Sequence, residues 1–136
     1  MIGMNLALEA LVRQRAKGLC EYCRFPERLA EVPFQIEHVI ARQHGGATEP
    51  ENLALSCAFC NRYKGPNLSG IDPLTNEVVR LFDPRKQSWD EHFQWKGAVL
   101  AGKTAIGRGT IRTLAINRPD AVLVRKLLFA EASYEN

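Results

Sequence analysis

Apolar positions recur with a helical period at the start of the chain. Leu6, Leu8, Leu11 and Val12, with Ala7 and Ala10, predict an amphipathic helix from about Asn5 to Ala16, its basic residues on the other side. Asn5 is placed to cap its N-terminus and Gly18 to stop it after the last turn. Pro26 and Pro33 then mark a loop. Phe34, Ile36, Val39 and Ile40 form a strand-like run with Glu37 and His38 embedded, which presents the histidine at the strand's end. His44-Gly45-Gly46 reads as a turn, and Thr48 to Glu51 as a polar loop. Leu53 to Ser56 predicts a second short strand running into Cys57, and Ala58 to Lys64 a short helix stopped by Gly65-Pro66.

The second half continues the mixture. Asp72-Pro73 with Asn76 predicts a turn, and Val78, Val79, Leu81 and Phe82 a strand. Trp89, Phe93 and Trp95 read as packed core, with Lys96-Gly97 turning a hairpin between Phe93–Trp95 and Val99–Leu100. Thr104 is placed to cap a helix to about Ile116, weakened near its start by Gly107 and Gly109. Pro119 suits the first position of a last helix carrying Val122, Leu123, Leu127 and Leu128. No repeat or linker interrupts the chain. The expectation is an α+β fold in a single domain, 1–136, with a core at about 18–66 and an extension at about 67–136 packed on it.

Composition changes this picture little. An apolar share of 46% and a charged share of 24% over 136 residues are ordinary for a globular domain. No apolar run is long enough to span a bilayer, and the N-terminal stretch lacks a basic start and a small-residue cleavage site. A cytoplasmic protein without a membrane partner is expected. The net charge of +3 does not establish a nucleic-acid partner.

The four cysteines change it more. In a reducing compartment, Cys20-x-x-Cys23 and Cys57-x-x-Cys60 point to metal before disulfides, because they supply four thiolates for one closed tetrahedral zinc. Buried free thiols and a redox pair are the other readings, and the redox pair lacks a βαβ context. Glu37-His38 and Asn52 lie between the pairs; Asn61 and Lys64 follow the second.

The order Cys-x-x-Cys, Glu-His, Asn, Cys-x-x-Cys-Asn-x-x-Lys resembles the HNH endonucleases. More narrowly it is similar to their subgroup in which four cysteines bind zinc around a ββα-metal (His-Me finger) core. The likeness covers Cys20 to Lys64; GPNLSGIDPLT and WDEHFQWKG resemble, more loosely, the tail of small stand-alone bacterial members. The resemblance implies that His38 is the general base of phosphodiester hydrolysis. It implies that Glu37 and Asn61 hold one catalytic divalent cation, Mg²⁺ or Mn²⁺, beside the structural Zn²⁺. It makes Asn52 the residue that braces the loop and orients His38. Two positions depart from the family pattern: Glu37 stands where Asp is common, and Asn61 where the name-giving His would be.

Flanking cations add a nucleic-acid surface. Arg42, His44, Arg62 and Lys64 are the expected phosphate contacts, with DNA the expected nucleic acid. Tyr22, Tyr63 and Trp89 read either as base-stacking rings or as packed core, burial being favoured for Trp89. A catalytically inactive zinc-stapled nucleic-acid-binding module is the alternative function, and a purely structural zinc domain the third. Monomer and homodimer, and duplex, single-stranded, branched or modified DNA, or RNA, as the substrate, stay open.

Overall fold

The computed structural model describes residues 5–131; residues 1–4, part of the stretch read above for a targeting segment, lie outside it. Asn5 caps α1 (Leu6–Ala16), its Oδ1 accepting from the Leu8 amide at 2.7 Å. The helix ends at Ala16 as expected, and Gly18 behind it is left-handed (φ 71°). Lys17 takes the left-handed conformation (φ 57°), and the amides of Lys17 and Gly18 return to the carbonyls of Gln14 and Arg13.

The chain then turns through Cys20–Cys23 and reaches β1 (Gln35–His38), which pairs antiparallel with β2 (Leu53–Ser56). Gln35 stands opposite Ser56 and His38 opposite Leu53. Cys57 caps α2 (Ala58–Lys64), which ends at Gly65 as expected, and Asn61 and Lys64 on this helix contact Gln35 and Glu37 of β1. The Arg15 guanidinium donates to the carbonyls of Pro50 and Leu53 at 2.9 and 2.7 Å, which fastens α1 to β2. This is the strand–loop–strand–helix order predicted from the sequence.

In the second half, β3 (Ser69–Ile71) pairs with β4 (Val78–Arg80). β3 has no counterpart in the sequence reading, and Leu81 and Phe82, expected in the strand, leave it to enter the core. A short α3 (Trp89–His92) leads into the predicted hairpin of β5 (Phe93–Lys96) and β6 (Val99–Gly102). Thr104 does cap α4 (Ala105–Thr113), which ends three residues before Ile116. Gly107 in that helix is a contact, not only a weakness: a Cβ there would lie 2.1 Å from the His92 carbonyl oxygen. α5 (Pro119–Ala130) starts at proline as expected. It docks differently, however. Leu123 and Leu127 are 59% and 60% exposed, whereas Arg125 is buried and donates to the carbonyls of Ala98 and Ile116 and to the Asn117 side chain.

The core joins both halves. Val12, Tyr22 and Leu55 share one apolar cluster with Phe82, Phe93 and Leu114, and the Phe82 ring meets Tyr22 and Phe93 edge-on. The fold is α+β, with a β1–β2–α2 core, an N-terminal helix and a strand-and-helix extension. Among the described residues no helix is long and apolar enough to cross a membrane.

Candidate active site and zinc centre

Local pairing brings the two cysteine knuckles together. The Cys20 amide donates to the Phe25 carbonyl and the Arg24 amide to the Cys20 carbonyl, which closes the first turn. The Glu21 amide donates to the Leu55 carbonyl, and the Leu55 amide donates to the Glu21 carboxylate at 2.9 Å, two residues before Cys57. All four Sγ atoms then lie within 4.8 Å of one another, and all four residues are buried. The Cys23 and Cys57 sulfurs stand 3.8 Å apart. A tetrahedron with Zn–S bonds near 2.3 Å has sulfur–sulfur edges of about 3.8 Å. The cluster therefore fits a structural zinc held by Cys20, Cys23, Cys57 and Cys60. Hydrogen bonding within it drives the Cys57 thiol strongly down and the Cys23 and Cys60 thiols up. A bound dication would remove that competition by stabilising every thiolate.

Successive strand residues point to opposite faces, and this separates Glu37 from His38. Glu37 enters the β1–α2 interface, where its carboxylate accepts a hydrogen bond from the Tyr22 hydroxyl and faces the Lys64 ammonium at 3.3 Å. Lys64 also donates to the Val39 carbonyl at 2.9 Å. Burial pushes the Glu37 carboxyl up; Lys64 and Tyr22 pull it back. One turn earlier on α2, the Asn61 amide donates to the Gln35 side chain. Lys64 is thus only 2% exposed and cannot meet a phosphate, contrary to the expected contact. Tyr22 is fully buried, so base stacking is closed to it as well.

The expected catalytic cation needs oxygen donors, and this arrangement has two. Glu37 and Asn61 offer hard oxygen donors on facing elements, and the carboxylate already sits against a positive charge, so the donor set fits a hard dication in kind. Both Glu37 oxygens are engaged, one by Tyr22 and one by Lys64. A metal at this carboxylate would have to displace Lys64 or Tyr22 from one of its oxygens.

His38 projects from the end of β1 beside the following loop. Its Nε2 and the Thr48 hydroxyl lie 2.8 Å apart, a partner with no signal in the sequence, while Nδ1 has no partner among the described residues. Burial, and secondarily the nearby Arg42 guanidinium, hold the imidazole below its ordinary value. Asn52 closes the loop. Its Oδ1 accepts from the Ile40 amide at 2.8 Å, and its Nδ2 donates to the carbonyls of Ile40 and Ala47, each at 3.0 Å. Its own carbonyl accepts from the Val39 amide at 2.8 Å, next to His38. Gly46 completes the closure, since a Cβ there would overlap the Ile40 carbonyl oxygen at 1.7 Å. Arg42, His44 and Arg62 are exposed, and Trp89 donates to the Tyr22 carbonyl at 2.9 Å beneath the Arg24 guanidinium.

A paired-cysteine centre stapling a β-hairpin to a short helix, with a histidine at the strand end and an asparagine bracing its loop, defines a zinc-stapled ββα module. Residues 20–67 match the family model described as HNH endonuclease. A match to that model points to a nuclease or nucleic-acid-binding role for this stretch. No curated protein and no solved structure matches the chain.

Proposed function

We infer that the protein is an endonuclease that hydrolyses DNA phosphodiester bonds, with His38 as general base and one Mg²⁺ or Mn²⁺ held by Glu37 and Asn61. The observation that carries this reading is His38 itself. Its imidazole is biased to the neutral form, engaged at Nε2 by Thr48 and open at Nδ1, at the end of β1 beside a loop fixed by Asn52. A neutral imidazole with one free nitrogen accepts a proton from an attacking water, and its resulting charge lies beside the incoming phosphate. The divalent cation would supply neutralisation of the scissile phosphate and of the leaving 3′ oxygen. Arg42, His44 and Arg62 are the exposed groups available to the flanking phosphates.

The ends of the product test the reaction. Water attacking phosphorus with departure of the 3′ oxygen leaves 5′-phosphate and 3′-hydroxyl ends, so a nicked plasmid should be resealed by DNA ligase without prior end repair. Nicks that ligase seals only after kinase or phosphatase treatment would contradict the mechanism. The engagement of both Glu37 oxygens favours a second reading, a module that grips nucleic acid without cutting it.

A further inference from the structure

Beside the site, an apolar groove of about 710 Å³ opens between the 25–35 loop, α2 and α5. Phe25, Val32, Phe34 and Phe59 are among its apolar lining residues, and Gln35 and Asn61, the pair that joins β1 to α2, line it too. Phe59, Arg62 and Tyr63 recur at i, i+3 and i+4 on the outer face of α2, away from Cys60 and Lys64. Phe59 and Tyr63 remain 42% and 41% exposed. The Arg62 guanidinium lies 5.6 Å from the Phe59 ring centre and 5.5 Å from that of Tyr63, and Arg118 lies 3.9 Å from Phe59. Arg118 is shared with Asp120 at 3.3 Å, whereas Arg62 has no carboxylate partner among the described residues.

We propose that this groove is a nucleobase subsite, which takes a base lying outside a double-helical stack while Arg62 meets that nucleotide's phosphate. Three features converge on such a ligand. The walls are apolar and aromatic, suited to the flat face of a base. Guanidinium groups lie over the rings as a continuation of the stack, an arrangement that tolerates any base. Asn61 also lines the groove, so a base held there lies beside the candidate site. A paired base cannot enter, because its faces are covered by its neighbours in the duplex and the groove is concave. The substrate class is therefore DNA with unpaired bases, either single-stranded or carrying an extrahelical nucleotide. This rests on the nucleic-acid reading of the site but not on cleavage.

The test is binding without turnover. Fluorescence anisotropy of the zinc-loaded protein without added Mg²⁺ or Mn²⁺, at fixed salt, compares labelled single-stranded DNA, a duplex with one bulged base, and a fully paired duplex. The wild type is expected to prefer the first two by about tenfold, since one stacked base is worth ~1–3 kcal/mol. Phe59→Leu keeps apolar bulk in the groove but loses the ring face; it should lose most of that preference and bind paired duplex as before. Phe59→Trp should retain it. A higher affinity for the single strand names that source of the base, and a higher affinity for the bulge names the extrahelical base. Equal affinity for all three DNAs, or equal losses on all three in Phe59→Leu, overturns the proposal. So does a groove occupied by a second copy, read as a concentration-dependent dimer that Phe59→Leu dissolves. Unpaired-base preference in a protein that never cleaves would overturn the endonuclease reading and leave the subsite standing.

Discussion

Two ionisable residues, adjacent in sequence, have opposite relations to charge. His38 is discouraged from carrying a proton by burial and by Arg42. Its folded value lies below the ordinary ~6.5, so the imidazole is unprotonated at neutral pH and takes up a proton only as the pH falls through that lower midpoint. Replacing Arg42 with Ala removes one of the two causes, and the acidic limb of kcat/KM should move to higher pH, towards ~6.5. An unmoved limb in Arg42→Ala would mean that His38 does not set it. Glu37 instead depends on a neighbouring cation. Lys64→Met leaves a buried carboxylate without its partner, a change expected to cost about 3 kcal/mol or more at neutral pH. The sign with pH follows from the raised carboxyl. Protonation relieves the unpaired charge, so the deficit should be small below the unfolded value near ~4.3 and grow as the pH rises through the folded value. If Glu37 can exchange the ammonium for a metal, Mn²⁺ should raise the melting temperature of Lys64→Met more than that of wild type. A pH-independent deficit with no Mn²⁺ response would remove Glu37 as a cation ligand.

At the level of elements, the knuckles, the hairpin and α2 are one mechanical unit. Cys57 is both a member of the four-cysteine cluster and the cap of α2, its sulfur accepting from the Cys60 amide at 3.4 Å. Tyr22, between Cys20 and Cys23, reaches Glu37 on β1, and Glu21 pairs with Leu55 on β2. Loss of the metal should therefore loosen the strand that carries His38 as well as the cysteines. Cys57→Ser is expected to lose zinc and to unfold at a markedly lower temperature, because metal binding in such sites is part of the folding free energy. Metal analysis beside a thermal melt checks it. A zinc-free variant melting with the wild type would contradict the structural role.

Across the molecule, legibility followed local rules. The boundaries of α2 and β2 were readable because Gly65-Pro66 stops a helix in any context and a short apolar run led into Cys57, whereas β1 stops at His38, short of the Val39 and Ile40 expected in it. The zinc centre was readable because Cys-x-x-Cys spacing is itself a geometric constraint. The inward face of α2 was legible in principle. Cys60 must point at the metal, and Lys64, four residues later, shares its side, which argues against a solvent-facing lysine. Strand alternation likewise separates Glu37 from His38. Other features depend on packing that no local pattern encodes: the Thr48 contact to His38, the three-residue β3 centred on Gly70, and the docking of α5 through Arg125 while Leu123 and Leu127 face outward. What unites these parts is the claim that His38 activates water on a DNA phosphate. Supercoiled-plasmid cleavage with added Mg²⁺ or Mn²⁺, run with wild type beside His38→Ala at equal zinc content, tests it most directly. Metal-dependent nicking by the wild type, reduced by at least about a hundredfold in His38→Ala, is the predicted result. Equal nicking by both proteins, or none by either while DNA binding persists, would contradict it.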